Sequence, residues 1–281
     1  MTQHRLSIVV PSFNQHAFIA ETLECLVNQI SVGKEDLEII VIDGGSTDGS
    51  VDIIRRYGSS ISYWVSEPDR GQTHALIKGF AMATGDILGW LCSDDLLEPY
   101  TAREVIDVFS TQPGVDFLYG DGIWIDPCGR RVKWKKEIPF HWFIWLHDHN
   151  YIPQPAAFWT RRLYDAVGGI DERFALAMDG DLFARMALAS PPLHVRQSWA
   201  RMRLYPEQKN QRFRAQSNRE DDVIRQRMCV NYPTRAHRLL CRAAAKSWRV
   251  IWKLCTGCYW QFSKNSFSNL SLDRCSREAR A

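Results

Sequence analysis

Two adjacent carboxylates, Asp94 and Asp95, follow an apolar run at residues 87–92 and are well suited to hold a cation. Removing paired carboxylates from water is costly unless a cation joins them. Divalent ions such as Mg²⁺ and Mn²⁺ take oxygen ligands and commonly share them with phosphates. Acidic pairs also begin many helices, as a cap and a first-turn residue. The pair alone therefore leaves a metal–diphosphate site and a helix start both open.

Three more polar clusters occur where an apolar run ends, as Ser93-Asp94-Asp95 does. They are Pro11-Ser12-Phe13-Asn14, Asp43-Gly44-Gly45-Ser46 and Glu67-Pro68-Asp69-Arg70-Gly71. The Asp43 cluster, taken alone, is typical of a tight strand-to-helix loop capped by Ser or Asp. If the preceding strands lie side by side, however, all four clusters meet in one crevice and form a ligand site.

The apolar runs predict strands, because each is short, apolar and bounded by turn residues. Strands are predicted at residues 6–10, 38–42, 61–65, 87–92, 117–119 and 122–125. Helices are predicted at residues 17–29, 51–57, 73–83, 101–109 and 179–189. Strands and helices alternate through the first 95 residues. This alternation predicts an α/β fold with a mixed, mainly parallel sheet and helices on both faces.

Several motifs along residues 5–215 resemble those of family 2 glycosyltransferases. The matching segments are Ser7-Ile8-Val9-Val10-Pro11-Ser12-Phe13-Asn14, Val41-Ile42-Asp43-Gly44-Gly45-Ser46-Thr47-Asp48-Gly49-Ser50, Asp69-Arg70-Gly71-Gln72, Leu91-Cys92-Ser93-Asp94-Asp95, Tyr119-Gly120-Asp121, Pro153-Gln154-Pro155-Ala156 and Met178-Asp179-Gly180-Asp181-Leu182. Their shared order makes the resemblance specific. It implies the GT-A fold, which is Rossmann-like and binds nucleotide-sugars. It also implies an inverting, hexosyltransferase-type enzyme of polysaccharide biosynthesis, with a UDP- or dTDP-sugar donor and a glycan or lipid-linked acceptor.

The resemblance assigns five residues in the first part of the chain to nucleotide-sugar binding. Pro11 and Phe13 fall where the family packs around the nucleotide base. Asp43 falls where an acid hydrogen-bonds the base or its ribose. Asp69 and Lys78 fall where the family completes the nucleotide-sugar site.

The resemblance also divides the acidic pair and supplies a catalytic base. Asp94 falls at the ribose-and-sugar position of an Asp-x-Asp-like motif, and Asp95 falls at the metal-ligand position, which implies Mn²⁺ or Mg²⁺ as cofactor. Asp179 falls at the position of the base. The reaction needs a base because a sugar hydroxyl is a poor nucleophile until its proton is removed. Asp181 competes for this role, but it is more typical of a carboxylate near a helix N-terminus.

Tyr205 departs from the family pattern. Many relatives have a histidine in an Arg-x-His-x-x-Gln-Lys segment, whereas the run here is Arg203-Leu204-Tyr205-Pro206-Glu207-Gln208-Lys209. A neutral tyrosine is a poor metal ligand at pH 7. Weaker metal affinity, or a further ligand from another group, is therefore expected, with Gln208 and Lys209 available to phosphate.

Two other functions were weighed against transfer. A non-catalytic nucleotide-sugar-binding scaffold on the same fold is disfavoured by Asp94, Asp95 and Asp179, although Tyr205 is consistent with it. A nucleotidyltransferase needs a glycine-rich, basic phosphate loop near the N-terminus, and residues 11–15 do not provide one.

The last part of the chain differs in charge from the rest. Residues 230–281 contain 10 Lys and Arg against 2 Asp and Glu, so residues 1–229 contain 25 (35 less 10) against 30 (32 less 2). Six basic residues recur along one side of a predicted helix: Arg235, Arg238, Arg242, Lys246, Arg249 and Lys253. This tail is predicted either to lie on an anionic membrane surface through residues 234–262 or to pack on the acidic body. Salt-sensitive nucleic-acid binding is a remote alternative, and no nucleic-acid partner is expected.

The predicted organisation is a GT-A domain at residues 1–229 followed by a basic amphipathic helical extension at residues 230–281. Within the domain, residues 1–100 form the nucleotide-sugar half and residues 101–229 the acceptor half. No apolar run approaches the roughly 20 residues needed to cross a bilayer. The N-terminus also lacks the pattern of a signal peptide. A cytoplasmic location is therefore expected, with peripheral attachment to the inner face of the membrane as an option.

Overall fold

The computed structural model describes residues 4–259. Its strands are β1 Leu6–Ser12, β2 Leu37–Asp43, β3 Tyr63–Ser66, β4 Ile87–Trp90, β5 Leu96–Leu97, β6 Phe117–Ile125, β7 Arg131–Lys135, β8 Ala157–Thr160 and β9 Leu193–Arg203. Its helices are α1 Ile19–Val27, α2 Ser50–Arg56, α3 Gln72–Met82, α4 Thr101–Thr111, α5 Trp142–His147, α6 Arg161–Ala166, α7 Met178–Ala189, α8 Lys209–Arg212, α9 Arg214–Arg227 and α10 Arg235–Cys255. A short 3-10 helix, Gln154–Ala156, precedes β8.

Within the described residues, all nine strands belong to one sheet in the order β3-β2-β1-β4-β8-β6-β9-β5, with β7 added beside β6. The pairs β3–β2, β2–β1 and β1–β4 are parallel. Strand β8 is antiparallel to both of its neighbours, while β6 and β9 are parallel to each other. The predicted mixed, mainly parallel α/β sheet is therefore confirmed.

Both faces of the sheet are covered, which explains the apolar runs at residues 8–10 of β1 and 39–42 of β2. Along β1, Val9 belongs to one buried cluster, with α3 and α7, and Ile8 and Val10 belong to the other, with α1, α2 and α4. Alternate residues of a strand point to opposite faces, so a strand that is buried on both sides is apolar at consecutive positions. Helix α3 approaches β1 closely because Gly79 has no side chain, and a Cβ there would lie 2.3 Å from Val9 Cγ1.

Several element boundaries differ from the prediction. The strands predicted at residues 117–119 and 122–125 are one continuous strand, β6. Gly120 does not interrupt it, because Trp199 of β9 lies against the glycine and a Cβ would come within 2.6 Å of its ring. Strand β9, which pairs with β6 over most of its length, was not predicted. Its N-terminal half is partly exposed and carries His194, Arg196 and Gln197, so it lacks the apolar run of a buried strand.

The C-terminal helix α10 packs on the body of the protein beside α5. Ala245 is fully buried there, and Lys253 of α10 forms an ion pair with Glu137. Among residues 4–259, no helix is both long enough and apolar enough to cross a membrane. The part of the predicted membrane segment at residues 260–262, like the rest of the chain to residue 281, lies outside the described residues.

Candidate functional site

The loops after β1, β2 and β3 are joined to one another at the carboxyl ends of the strands. The amide of Gly44 donates to the Ser12 carbonyl at 2.8 Å, and the amide of Asn14 donates to Ser46 Oγ at 2.7 Å. The Glu67 amide donates to the Asp43 carbonyl at 3.0 Å. The predicted convergence of these three polar clusters is thus a feature of the structure.

Asp43 is fully buried and its carboxylate organises the loop that follows β2. Oδ2 accepts hydrogen bonds from the Ser46 amide at 2.8 Å, the Gly45 amide at 3.1 Å and Ser66 Oγ at 2.7 Å. Oδ1 accepts one from Ser46 Oγ at 2.5 Å. An ionised carboxylate accepts about four hydrogen bonds. The predicted contact of Asp43 with a base or ribose stays a prediction, and Oδ1 is the oxygen with capacity left.

The two residues predicted to pack around the base differ in exposure. Pro11 is buried within β1, whereas the Phe13 side chain is 59% exposed directly after the strand. Asn14 follows with a left-handed φ of 51°, and its Oδ1 accepts from the Thr47 amide at 2.9 Å. The Phe13 ring is therefore presented to solvent from a loop that is held in place.

Asp69 lies against the Asp43 loop, but Lys78 is engaged elsewhere. A Cβ on Gly44 would come 2.8 Å from Asp69 Oδ2, so this glycine allows the close approach. Asp69 Oδ1 also accepts from the Gly71 amide at 2.7 Å, at the start of α3. Lys78 forms an ion pair with Glu67, and this ion pair lowers the pKa of Glu67. Asp69 and Lys78 are not paired with each other.

The acidic pair and Cys92 form a cluster whose ligand atoms all lie within 4.8 Å of one another. Asp95 is buried, and burial together with the charge of Asp94 raises its pKa well above the usual range. The Cys92 thiol contacts Gln72 Nε2 at 3.3 Å, and its pKa is also raised well above the usual value, by burial first. A neutral thiol is a poor ligand for a hard cation, so the fitting donors are the carboxylate oxygens.

Tyr205 reaches this cluster, although the sequence predicted only that it would not replace histidine as a ligand. Its hydroxyl donates to Asp94 Oδ2 at 2.7 Å, and its ring lies 5.1 Å from the Phe18 ring. Burial and the neighbouring Asp94 raise the pKa of Tyr205, which therefore stays neutral at pH 7. Tyr205 orients one oxygen of Asp94 and leaves the other free.

Arg203 is a part of the site that sequence reasoning missed. Its side chain is fully buried and donates from Nε to the Asp94 carbonyl at 2.8 Å. The other guanidinium nitrogens reach Glu21 at 2.8 Å and the Pro127 carbonyl at 2.6 Å, and the Arg203 amide donates to Asp95 Oδ1 at 2.8 Å. The signal in the sequence was that Arg203 matches the Arg of the Arg-x-His-x-x-Gln-Lys segment, two residues before Tyr205.

Asp179 lies in the first turn of α7, and its pKa is raised to about 6. Burial is the main cause, and the charge of Asp221 adds to it, while a hydrogen bond of 3.1 Å from Asn150 Nδ2 acts in the opposite direction. At pH 7 the carboxylate is therefore mostly ionised but more basic than an exposed aspartate. These are the properties of a general base.

Asp181, the competing acid, is enclosed by arginines. It is fully buried, and its carboxylate lies 2.7 Å from both Arg185 and Arg227. Both carboxylate oxygens are thus engaged, Oδ2 by Arg185 and Oδ1 by Arg227. This geometry favours the interpretation of Asp181 as a structural residue of the helix N-terminus.

Asp179 and the acidic pair both lie near Cys92. The charges of Asp95, Asp94 and Asp179 all contribute to the raised pKa of Cys92, after burial. Lys209, from the segment after Tyr205, also lies nearby, because Cys92 and Asp69 both influence its pKa, which burial lowers. The first and second halves of the chain thus both contribute acids to the surroundings of Cys92.

The model of the family described as "Glycosyl transferase family 2" matches residues 7–166, more than half of the chain. This chain belongs to glycosyl transferase family 2. It is a glycosyltransferase with a GT-A-like fold, as the motifs predicted.

Two curated relatives are of similar length. An uncharacterized glycosyltransferase of Mycobacterium tuberculosis is 31% identical over 192 residues, which is 68% of this chain and 72% of the relative. A PGL/p-HBAD biosynthesis glycosyltransferase of Mycobacterium bovis is 28% identical over 203 residues, 69% of this chain and 76% of the relative.

Two solved structures share the fold at low sequence identity. S. aureus TarS 1-349 in complex with UDP-GlcNAc has a TM-score of 0.66 and 16% identity, with 92% of this chain and 76% of that chain covered. The mannosyltransferase PcManGT from Pyrobaculum calidifontis, in complex with GDP-Man and Mn²⁺, has a TM-score of 0.61 and 18% identity. That likeness covers 100% of this chain and 80% of that one.

Proposed function

We propose that this glycosyltransferase moves a sugar from a UDP- or dTDP-sugar to a hydroxyl of a glycan or lipid-linked acceptor, with inversion and with assistance from a metal. The observation that carries the proposal is Asp179, a carboxylate with a pKa of about 6 whose charge acts on Cys92, as do those of the adjoining Asp94–Asp95 pair. TarS and PcManGT, which share the fold, were solved with a UDP-sugar and a GDP-sugar. Acids placed in this way would suit a nucleotide-sugar whose diphosphate lies at the acidic pair.

The nucleotide-sugar donor would be held by groups from several loops at the carboxyl ends of the strands. Phe13, exposed on a fixed loop, offers a ring face on which the nucleotide base can stack. Asp43 Oδ1 and Asp69 would accept hydrogen bonds from the N–H groups of the base or from the hydroxyl groups of the ribose. Asp94, oriented by Tyr205, would accept a hydrogen bond from the ribose or the donor sugar. Lys78 can contribute a charge to the phosphates if it leaves Glu67.

Asp95 is the proposed ligand of Mn²⁺ or Mg²⁺. A divalent ion there would offset the repulsion between Asp94 and Asp95 and stabilise the charge that develops on the leaving diphosphate. The carboxylate oxygens fit such an ion, and PcManGT was solved with Mn²⁺. Gln208 Nε2 donates to the Arg203 carbonyl and Lys209 Nζ to the Ala175 carbonyl, so a contact of either with phosphate would need that hydrogen bond to be exchanged.

Asp179 would take the proton of the acceptor hydroxyl while the oxygen of that hydroxyl attacks the anomeric carbon of the donor sugar. The carbon–oxygen bond to the diphosphate breaks at the same time, and the leaving group departs from the opposite face, so the configuration inverts. The division into a donor half at residues 1–100 and an acceptor half at residues 101–229 is part of this proposal, with residues 230–281 as a separate extension.

The decisive experiment compares nucleotide binding with transfer in Asp179→Asn. A panel of UDP-, dTDP- and GDP-sugars is first screened for Mn²⁺-dependent thermal stabilisation, because a ligand of the native state raises its melting temperature. The variant should keep the stabilisation by the best donor and lose at least a hundredfold of the transfer rate, since a general base contributes roughly that much. Transfer at the wild-type rate would refute the base assignment. Donor binding without nucleotide release in the wild type, with acceptors of either class, would favour the non-catalytic alternative.

A further inference from the structure

The helix α10 meets the body of the protein with one side only. Lys253 Nζ lies 2.7 Å from Glu137, Arg249 Nε 2.7 Å from Asp148, and Arg238 2.6 Å from Asp222. Three of the six basic residues that were predicted along one side of this helix are thus paired with carboxylates of the body. These contacts fix the rotation of the helix about its axis.

The opposite side of α10 is apolar and turned to solvent. Of the thirteen large apolar side chains exposed in residues 4–259, five lie on this helix. Four of them form the outer face: Leu239 (66% exposed), Leu240 (69%), Ile251 (58%) and Leu254 (56%). At about 3.6 residues per turn they share one side of the helix with the exposed Ala243, Ala244 and Ser247. A helix that only packed on the body would bury its most apolar side.

Three cations border the outer face along one edge. Arg235, Arg242 and Lys246 are exposed, and they form no ion pair within the part of the chain that the structure describes. This basic rim follows one line of the helix, because its members are seven and four residues apart. Residues 235–255 contain no Asp or Glu. Trp248, which is 44% exposed and rests on the His141 ring at 4.5 Å, lies beyond the other edge.

We propose that the outer face of α10 lies on an anionic lipid bilayer, with the basic rim at the level of the headgroups. Leucine and isoleucine would enter the acyl boundary, and Arg235, Arg242 and Lys246 would meet lipid phosphates, as in interfacial amphipathic helices. The helix contributes this surface without refolding, because the body already holds it. The proposal is independent of the catalytic assignment.

Charge favours the bilayer over two other occupants. Residues 260–281 carry 4 Lys and Arg against 2 Asp and Glu, so this segment is itself basic and would be repelled by the rim. A second copy of the chain would bring its own basic rim against the first. An anionic surface is complementary to both the apolar face and its border.

Vesicle co-sedimentation of the full chain tests the proposal. Vesicles of phosphatidylcholine and phosphatidylglycerol in equal parts are compared with vesicles of phosphatidylcholine alone. The wild type should bind the anionic vesicles at least tenfold more tightly, and added salt should weaken the binding, because screening acts on exposed charges. Leu240→Gln/Ile251→Gln and Arg242→Gln/Lys246→Gln should each lose at least tenfold of the anionic binding. All four residues are exposed, so the circular dichroism spectrum should not change.

Matched controls separate this face from general surface effects. Leu188→Gln on α7, where the leucine is 63% exposed, and Arg56→Gln on α2 remove the same chemistry elsewhere and should bind as the wild type does. Equal binding to neutral and anionic vesicles would overturn the proposal, as would wild-type binding by both α10 variants. A wild type that does not bind vesicles but sediments as a dimer, and becomes a monomer in Leu240→Gln/Ile251→Gln, would assign the face to a second copy instead.

Discussion

Asn150→Ala should move the pH dependence of transfer, because Asn150 holds the proposed base partly in its ionised form. The Asn150 amide is oriented by two donors to its Oδ1, Trp145 Nε1 at 3.3 Å and the Ile152 amide at 3.2 Å. Its Nδ2 therefore points at Asp179 Oδ2, 3.1 Å away. A hydrogen bond to a charged group contributes about 1.5–3 kcal/mol. That bond favours the carboxylate over the neutral acid.

The magnitude follows from the pKa of Asp179, which is about 6 in the wild type. With about 1.4 kcal/mol per pKa unit, loss of the bond places the pKa of Asp179 at about 7 to 8. At pH 7 the ionised fraction then falls from about nine-tenths to between about a half and a tenth, so kcat/KM should fall roughly two- to tenfold. The loss should disappear near pH 9, where Asp179 is ionised in both proteins.

The assay is kcat/KM against pH, with release of the nucleoside diphosphate as readout, in parallel with carbon-13 NMR titration of the aspartate carboxyl groups without substrate. Asn28→Ala is the matched control, because the Asn28 side chain also donates to a carboxylate, that of Glu24, at 2.7 Å, but on the exposed surface at the end of α1. An acid limb at the same pH in wild type and Asn150→Ala would refute the reasoning. A loss of equal size at every pH would mean that Asn150 supports the structure and not the charge of Asp179.

Three further predictions concern the acidic pair and the C-terminal helix. Asp95→Asn removes an acid whose ionisation is disfavoured by burial and by Asp94, so it should raise the melting temperature in EDTA and abolish the stabilisation by Mn²⁺ with nucleotide. Mn²⁺-dependent stabilisation of wild-type size would contradict the metal assignment. Tyr205→Phe removes the hydroxyl that donates to Asp94 and should weaken nucleotide-sugar binding about tenfold in calorimetry. Tyr205→His should instead strengthen Mn²⁺ binding. Identical affinities in all three proteins would argue against a role for this side chain. Lys253→Met leaves the buried Glu137 with fewer partners and should lower the free energy of unfolding by about 2–4 kcal/mol in urea. The exposed Lys246→Met should change it by less than about 0.5 kcal/mol, and an equal effect of the two variants would show that burial of the pair is unimportant.

The first half of the fold was predictable because its strands are buried on both faces. A run such as residues 39–42 is apolar at every position, and the polar loops that follow such runs must meet at one edge of a parallel sheet. Strand β9 was not predictable in the same way, because its exposed half carries no apolar pattern and its partner β6 precedes it by about 75 residues.

Within the site, residue types were easier to predict than contacts. The carboxylates could be found from the sequence because they follow buried strands and match the motifs of a family. The hydrogen bond from Tyr205 to Asp94 joins residues 111 positions apart, and no local pattern specifies it. The rotation of α10 about its axis could not be predicted either. Its basic residues could face either an anionic bilayer or acids of the body, and the sequence does not show that Asp148 and Glu137 lie beside the helix.

Arg203 has a consequence for how the protein folds. Its guanidinium joins Asp94, Glu21 and Pro127, which lie 109, 182 and 76 positions away along the chain. Contacts of such sequence separation form late, because the entropy of closing long loops is lost before the contacts stabilise anything. The acidic pair is consequently assembled only when β9 has docked between β6 and β5. The proposed cation site is then incomplete in a partly folded chain, so during refolding the recovery of Mn²⁺ binding should lag behind the recovery of helical circular dichroism.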